Sequence, residues 1–133
     1  MSKIGFVTIG AIDGGKSGAF YDAVFGALGS ERKLENDGWI GYGVIGPGKS
    51  IMDCHTSICP PHDGKEARAG NGIMIAYQGK TPGEIQAAYA GGIRNGGTDE
   101  GEPGFRPPEE EKGFYAAYLR DPTGNKLCLF CLA

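Results

Sequence analysis

Hydrophobic positions in the first half of the chain predict a strand, a helix and then three further strands. Residues 4–10 alternate apolar and polar side chains and are rich in β-branched residues, which is typical of a half-buried strand. Residues 17–28 place Phe20, Val24 and Leu28 on one helical face, and a glycine follows as a stop signal. The three further strands, the first two joined by an Asp-Gly turn, are predicted at residues 32–35, 39–45 and 51–55.

The second half of the chain repeats this order after a Pro- and Gly-containing loop at residues 56–70. Residues 72–78 predict a strand. Thr81, Pro82 and Glu84 then supply the N-cap, the first-turn proline and the capping-box acid of a helix. The segment 99–112, rich in acidic residues and prolines, predicts a solvated loop. A last hairpin is predicted at residues 114–120 and 126–131 around a Pro-Thr-Gly turn.

A weak internal repeat supports this symmetry. Three pairs of positions are each 68 residues apart: Phe6 and Met74, Tyr21 and Tyr89, and Gly29 and Gly97. A repeat of this length indicates one supersecondary unit used twice. We therefore predict a single α+β domain, residues 1–133, made of two βαβββ modules at about 1–68 and 69–133.

Length, net charge and hydrophobic content exclude several classes of function. A chain of 133 residues with 40% hydrophobic residues can bury one core. The net charge of −3 and pI near 5.3 argue against a nucleic-acid surface, and no apolar run is long enough to span a membrane. The N-terminal residues lack the layout of a signal peptide. We therefore expect a cytoplasmic protein whose four cysteines are reduced.

Residues 10–17 match the phosphate-binding loop pattern GxxxxGK[ST] and lie between a predicted strand and a predicted helix. Nucleotide-binding domains of that type need a parallel sheet with a second acidic strand end for magnesium. The short hairpins predicted here make most strands antiparallel instead. We therefore interpret the segment as a glycine-rich turn, with Asp13 or Ser17 capping the helix and Lys16 exposed.

Three stretches carry a family resemblance: residues 7–22, residues 70–77 and, most specific, residues 115–127 with the turn Asp121-Pro-Thr-Gly-Asn125. On these stretches the chain resembles the vicinal oxygen chelate superfamily, the group of glyoxalases, bleomycin-resistance proteins and extradiol dioxygenases. The resemblance implies two βαβββ modules forming a curved mixed sheet, with the helices on its outer face. It also implies a ligand cup on the sheet, and by analogy a homodimer.

Family enzymes bind a divalent metal in this cup through histidines on the first strand of each module and a late carboxylate. The corresponding positions here hold Phe6, Met74 and Cys128. Phenylalanine cannot coordinate, and sulfur ligands are poor partners for Mg, Mn or Fe. We therefore predict no cofactor and no metal at the family position. Asp53 and His55, placed on one strand face, are secondary metal candidates.

Strand parity places a mainly apolar set of side chains in the cup, the usual lining of a small-molecule site. The predicted lining residues are Phe6, Thr8, Met74, Ala76, Tyr118, Cys128 and Phe130. These side chains could instead fill the cup as core. The Cys128 thiol is interpreted as buried and inert, and the cluster Cys54, His55, Cys59 and His62 as a loop with incidental zinc-type ligands.

Three function classes remain open at this point. The first is a metal-independent protein that binds a small molecule in the cup, with no nucleic-acid or membrane partner. The second is a lactoylglutathione lyase-like enzyme, a lyase or isomerase resembling glyoxalase I, with an atypical metal site. The third is a structural dimer whose cup is filled. Catalytic residues cannot be named from the sequence.

Overall fold

A computed structural model describes residues 2–133 and contains two βαβββ modules, as predicted. The first module consists of β1 (Val7–Gly10), α1 (Gly14–Ala27), β2 (Ser30–Asn36), β3 (Trp39–Val44), a 3₁₀ turn (Ile51–Asp53) and β4 (Thr56–Cys59). The second consists of β5 (Ile75–Gln78), α2 (Pro82–Arg94), β6 (Thr98–Phe105), β7 (Phe114–Arg120) and β8 (Lys126–Leu132). In the described residues, no helix is both long and apolar enough to cross a membrane.

Each module forms its own four-stranded mixed sheet, and the two sheets have equivalent strand orders. The orders are β1-β4-β3-β2 and β5-β8-β7-β6, with β1 parallel to β4 and β5 parallel to β8. The remaining pairs are antiparallel. The β2–β3 turn has positive φ at both Asp37 and Gly38, the geometry that matches the right-handed twist of a hairpin. The predicted symmetry is therefore present in the hydrogen-bonded topology.

Two predicted segments differ from the structure. Residues 51–55 are not the fourth strand, because Ser50 and Asp53 form a reciprocal capping box that favours a 3₁₀ turn. The fourth strand is instead Thr56–Cys59, within the predicted loop. The acidic segment predicted as a loop contains all of β6 except its first residue, Thr98, and the irregular register of this strand accommodates its proline and glycines.

The helix starts explain why the phosphate-loop pattern does not form a phosphate cradle. Helix α1 begins at Gly14, so only residues 11–13 separate it from β1. The Asp13 carboxylate accepts the Lys16 backbone N–H at 3.0 Å, at the amide group that a phosphate would otherwise use. Lys16 is exposed.

The start of α2 differs in one hydrogen bond from the predicted capping box. Thr81 is the N-cap, as predicted, but the Glu84 carboxylate accepts the backbone N–H of Lys80 instead of that of Thr81.

The hydrophobic core lies between the two helices and the sheet faces turned toward them. Its largest fully buried side chains include Phe20, Tyr21 and Phe25 of α1, Tyr42 of β3 and Leu129 of β8. The two modules are also joined through polar groups, since the Thr56 hydroxyl lies 2.8 Å from the Tyr77 hydroxyl. One face of each sheet is therefore committed to the interior.

A buried carboxylate fixes the turn between β7 and β8 against α1. Asp121 is 2% exposed, and its Oδ1 accepts the backbone N–H groups of Thr123, Gly124 and Asn125 at 2.9 Å each. Its Oδ2 accepts the Tyr21 hydroxyl at 2.7 Å and the Asn125 side-chain amide at 2.9 Å. The same amide donates to the Gly10 carbonyl at 3.0 Å, which ties the second module to β1.

Candidate functional site

Side chains of strand β8 alternate between the buried face of the second sheet and its opposite face. Leu127, Leu129 and Cys131 belong to the core. The residues between them point the other way because successive strand side chains alternate. We call this opposite surface the open face, defined by Ala76 of β5, Tyr118 of β7, and Lys126, Cys128 and Phe130 of β8.

Strand register brings three of the predicted lining residues together on the open face. Ala76 and Tyr118 are both Cα partners of Cys128, so Ala76, Cys128 and Tyr118 form one row across three strands. Cys128 is buried beneath its neighbours, Tyr118 is half-buried and Ala76 is exposed. Phe130, also half-buried, stacks on Phe114 with ring centroids 5.3 Å apart. The row therefore presents an apolar and aromatic surface.

The other predicted lining residues lie outside this row. Phe6 and Met74 come immediately before β1 and β5, and their side chains are 64% and 45% exposed. Neither has a register partner in the sheets. Thr8 is exposed in the middle of β1, opposite Ser57 of β4. Because most of the predicted lining is exposed or half-buried, these side chains do not form a filled core within one chain.

A cleft of about 230 Å³ lies where β1 approaches β5 and the start of β8. Its lining includes Thr8, Arg68, Ile73, Ile75, Asn125 and Lys126. Lys126 also belongs to the open face, so the cleft and the open face share this residue. Four larger grooves, of about 560, 530, 480 and 310 Å³, lie elsewhere. Arg32 and Lys33, the cations that line three of them, already have carboxylate partners. The groove of about 480 Å³, next to Lys16 and Pro122, shares no residue with the open face.

Two cationic side chains lie near the aromatic ring of Tyr118. The Arg106 guanidinium carbon lies 5.6 Å from the ring centroid, and the Lys126 Nζ lies 5.9 Å from it. Arg106 is held by the carbonyl groups of Glu102 and Phe105, which accept its N–H groups at 2.8 and 3.3 Å. These contacts fall in the cation–π range. They give the apolar row a positively charged border.

The thiol of Cys128 lies close to Tyr118 and to the same two cations. Burial raises the pKa of the thiol, and Tyr118, Arg106 and Lys126 act in the opposite direction. Burial also raises the pKa of the Tyr118 hydroxyl. A neutral thiol is a weak nucleophile. The structure therefore places a buried thiol at this position, and its inertness stays a prediction.

Comparison with solved structures identifies the family. A glyoxalase/bleomycin resistance protein from Albidiferax ferrireducens T118 is 35% identical, with a TM-score of 0.83, over 99% of this chain and 100% of that one. The chain belongs to the glyoxalase/bleomycin resistance protein family. The resemblance to the vicinal oxygen chelate superfamily is confirmed. No protein-family model and no curated protein matches the sequence.

More distant members of the family share the fold alone. A glyoxalase/bleomycin resistance protein/dioxygenase family enzyme from Burkholderia phytofirmans PsJN is 20% identical, with a TM-score of 0.68, over 99% of this chain and all of that one. A glyoxalase-related enzyme from Fulvimarina pelagi is 17% identical, with a TM-score of 0.71, over 98% of this chain and 88% of that one.

The donor set at the family's usual metal position does not fit a divalent metal. Phe6 offers no donor atom, the Met74 thioether is a soft ligand, and the Cys128 thiol is buried with a raised pKa. Among residues 2–133, no three side chains of His, Cys, Asp or Glu come together as a metal-binding group. The glyoxalase/bleomycin resistance scaffold is present here with a different set of side chains at the positions that the family resemblance assigns to the metal.

The secondary metal candidates, Asp53 and His55, do not share a strand face as predicted. Asp53 belongs to the 3₁₀ turn, where its carboxylate accepts the backbone N–H and the hydroxyl of Ser50 at 2.9 and 2.8 Å. His55 follows the turn. Its Nδ1 lies 2.8 Å from the Thr56 hydroxyl and its Nε2 lies 3.0 Å from the Ser30 hydroxyl. Both side chains are thus engaged in local hydrogen bonds.

We expect His55 to make stability depend on pH. Burial lowers the pKa of its imidazole, so the folded protein binds fewer protons than the unfolded chain as pH falls below about 6.5. The contribution of neutral His55 to the free energy of unfolding is complete above that pH and is lost on acidification.

Between pH 7.5 and 5.5 the urea midpoint should fall for the wild type and for His62→Gln, which removes the exposed histidine. It should fall less for His55→Gln. Equal pH slopes in all three proteins would contradict this role.

Sequence reasoning missed Arg106 and Arg68, two of the charged residues near the site. Arg106 reaches Tyr118 because β6 pairs with β7, and the sequence of β6 carries no strand pattern. Arg68 lies in the segment between the modules and lines the cleft through tertiary packing. The sequence around them gives no signal, because acidic residues lie nearby in the chain, Glu66 before Arg68 and Glu109 after Arg106.

Proposed function

We propose that this protein binds a small molecule on the open face, against the Ala76–Cys128–Tyr118 row, without a divalent metal at the usual family position. The surface properties of this row are the main support for the proposal. The row is apolar and aromatic, it is reachable from solvent at Ala76 and Tyr118, and it is bordered by a few oriented polar groups. That combination is typical of small-molecule sites in proteins.

The size and position of the cleft support a small molecule. The cleft of about 230 Å³ shares Lys126 with the open face, and in this proposal one part of the ligand occupies the cleft while another lies on the row. Asn125 in the cleft is fixed by the hydrogen bonds of its side-chain amide to Asp121 and Gly10. A site on strands and a rigid turn is preorganised, which lowers the cost of ordering it on binding.

The lyase-like alternative has less support from the geometry. A glyoxalase I type of reaction uses a metal as a Lewis acid that grips two neighbouring oxygens of the substrate. Phe6, Met74 and Cys128 do not supply the oxygen and imidazole ligands which such a metal prefers. The side chains present therefore favour binding over a metal-dependent reaction of this type.

Location and assembly belong to the same proposal. The four cysteines, Cys54, Cys59, Cys128 and Cys131, are free thiols, which favours the reducing cytoplasm. A homodimer is favoured by the exposed apolar side chains Met52 and Val44, which are 88% and 70% exposed. Native mass spectrometry of protein purified without added metal would report the number of chains, any bound small molecule and any metal.

A neutral aromatic dye tests the binding site. We expect N-phenyl-1-naphthylamine to bind the wild type, and its fluorescence titration to be unchanged by EDTA or by added Mn²⁺. Ala76→Trp should weaken binding by about tenfold or more, because the larger side chain covers the row. Ala87→Trp, the same change on the exposed side of α2, should bind as the wild type does.

Two outcomes would contradict the proposed function. Unchanged dye affinity in Ala76→Trp would show that the dye binds elsewhere, and the open face would lose its support as a site. Binding that appears only with added Mn²⁺ would show that a metal is part of the site. Near-ultraviolet circular dichroism of both variants establishes that each remains folded.

A further inference from the structure

The positive border of the open face points to the chemical class of the ligand. We propose that the site selects an organic anion, with the negative group held by Arg106 and Lys126 and the apolar or aromatic body lying on Tyr118 and Ala76. The inference rests on the proposed function. It goes further because it states the charge that the ligand must carry.

The first observation is that the two cations lack anionic partners. Ion pairs in the described residues neutralise Arg32, Lys33, Lys49 and Arg120. None of these pairs involves Arg106 or Lys126. The contrast is sharpest at Arg120, the register partner of Lys126, which pairs with Glu100 and donates to the Gly124 carbonyl. Strand alternation places both cations on the open face, and of the two only Arg120 has a carboxylate partner.

The second observation is that both cations are directed at the same place. Each lies within 6 Å of the Tyr118 ring centroid, and both lower the pKa of the Cys128 thiol against the larger effect of burial. No carboxylate contributes to the pKa shift of Cys128 or of Tyr118. The charged side chains that contact the Tyr118 ring are therefore both cationic, in a protein whose net charge is −3.

The third observation is that the positive region continues into the cleft. Arg68 lines the cleft together with Lys126, and it too is absent from the ion pairs of the described residues. Like charges near one another repel, and an anion between them removes this repulsion while forming charge-assisted hydrogen bonds. An aromatic or apolar anion would use both the cations and the row.

Anion selection is tested with two dyes that share an aromatic body. We expect 1-anilinonaphthalene-8-sulfonate to bind more tightly than N-phenyl-1-naphthylamine, which lacks the sulfonate. Arg106→Gln and Lys126→Gln should each weaken binding of the sulfonate dye by about tenfold. The neutral dye should lose much less affinity in these variants than the sulfonate dye, because it carries no group for the cations to hold. Added salt should weaken only the sulfonate dye.

Lys80→Gln is the matched control, because it makes the same change in net charge at an exposed lysine near the start of α2. It should leave both dyes unaffected. The anion inference is overturned if the sulfonate dye has the same affinity for Lys126→Gln and the wild type, or if Lys80→Gln weakens binding equally. Loss of the neutral dye in Ala76→Trp would still support the proposed function in either case, so the two proposals fail separately.

Discussion

Replacing Asp121 by alanine should lower the free energy of unfolding by about 3–5 kcal/mol. The carboxylate accepts three backbone N–H groups, the Tyr21 hydroxyl and the Asn125 amide. Alanine leaves these donors without their acceptor in a site where Asp121 itself is only 2% exposed. Such a loss is a large fraction of the stability of a typical domain. Urea unfolding followed by circular dichroism measures it.

The control for Asp121 is Asp63→Ala, since Asp63 also accepts a backbone N–H but is exposed. We expect a loss of about 1 kcal/mol or less there. If Asp121→Ala does not fold, Tyr21→Phe removes one of the five hydrogen bonds and should cost about 1–2 kcal/mol. A loss below 1 kcal/mol in Asp121→Ala would show that the turn holds its conformation without the carboxylate.

Replacing Gly43 by alanine should cost about 3 kcal/mol, which is large for one added methyl group. A Cβ at Gly43 would overlap the backbone carbonyl oxygen of Asp53 and lie 3.2 Å from Cγ of Lys33. The 3₁₀ turn therefore packs directly on β3 at this glycine, and it must move to accommodate alanine. The same displacement should make Cys54, now 6% exposed, accessible to a thiol reagent.

Gly26→Ala is the matched control for this change. A Cβ at Gly26 meets no atom within 4 Å, and the residue lies in α1. Alanine there should raise the free energy of unfolding by about 0.5–1 kcal/mol, because it reduces the freedom of the unfolded chain. Equal effects of the two substitutions would contradict the close approach of the turn to β3. Chemical denaturation and thiol labelling of Cys54 report the two consequences independently.

The fold was predictable because local signals agreed with the tertiary structure along most of the chain. The Asp37-Gly38 turn, the Thr81 N-cap and the turn beginning at Asp121 each mark an element boundary by their own chemistry. Errors occurred where packing or a side-chain cap decided the outcome. The 3₁₀ turn depends on the Ser50–Asp53 box, and β6 forms because β7 offers it backbone partners.

The candidate site was predictable only in part. Strand alternation placed Ala76, Tyr118 and Cys128 on one face, and register brings them into one row. Alternation could not place Phe6 and Met74, which precede their strands and have no register partners. Alternation also could not reveal that Arg106 and Lys126 both lie near the Tyr118 ring, because those contacts join β7, β8 and the segment after β6.

By itself, the sequence determined the two-module fold, the family, and the absence of the usual metal-binding side chains at Phe6, Met74 and Cys128. Those properties depend on residue type and on periodicity along the chain. Only the tertiary structure decided which face is open, which cations lack partners, and where Asp121 is buried. Those properties depend on distances between residues far apart in the chain, which side-chain packing sets and local patterns do not encode.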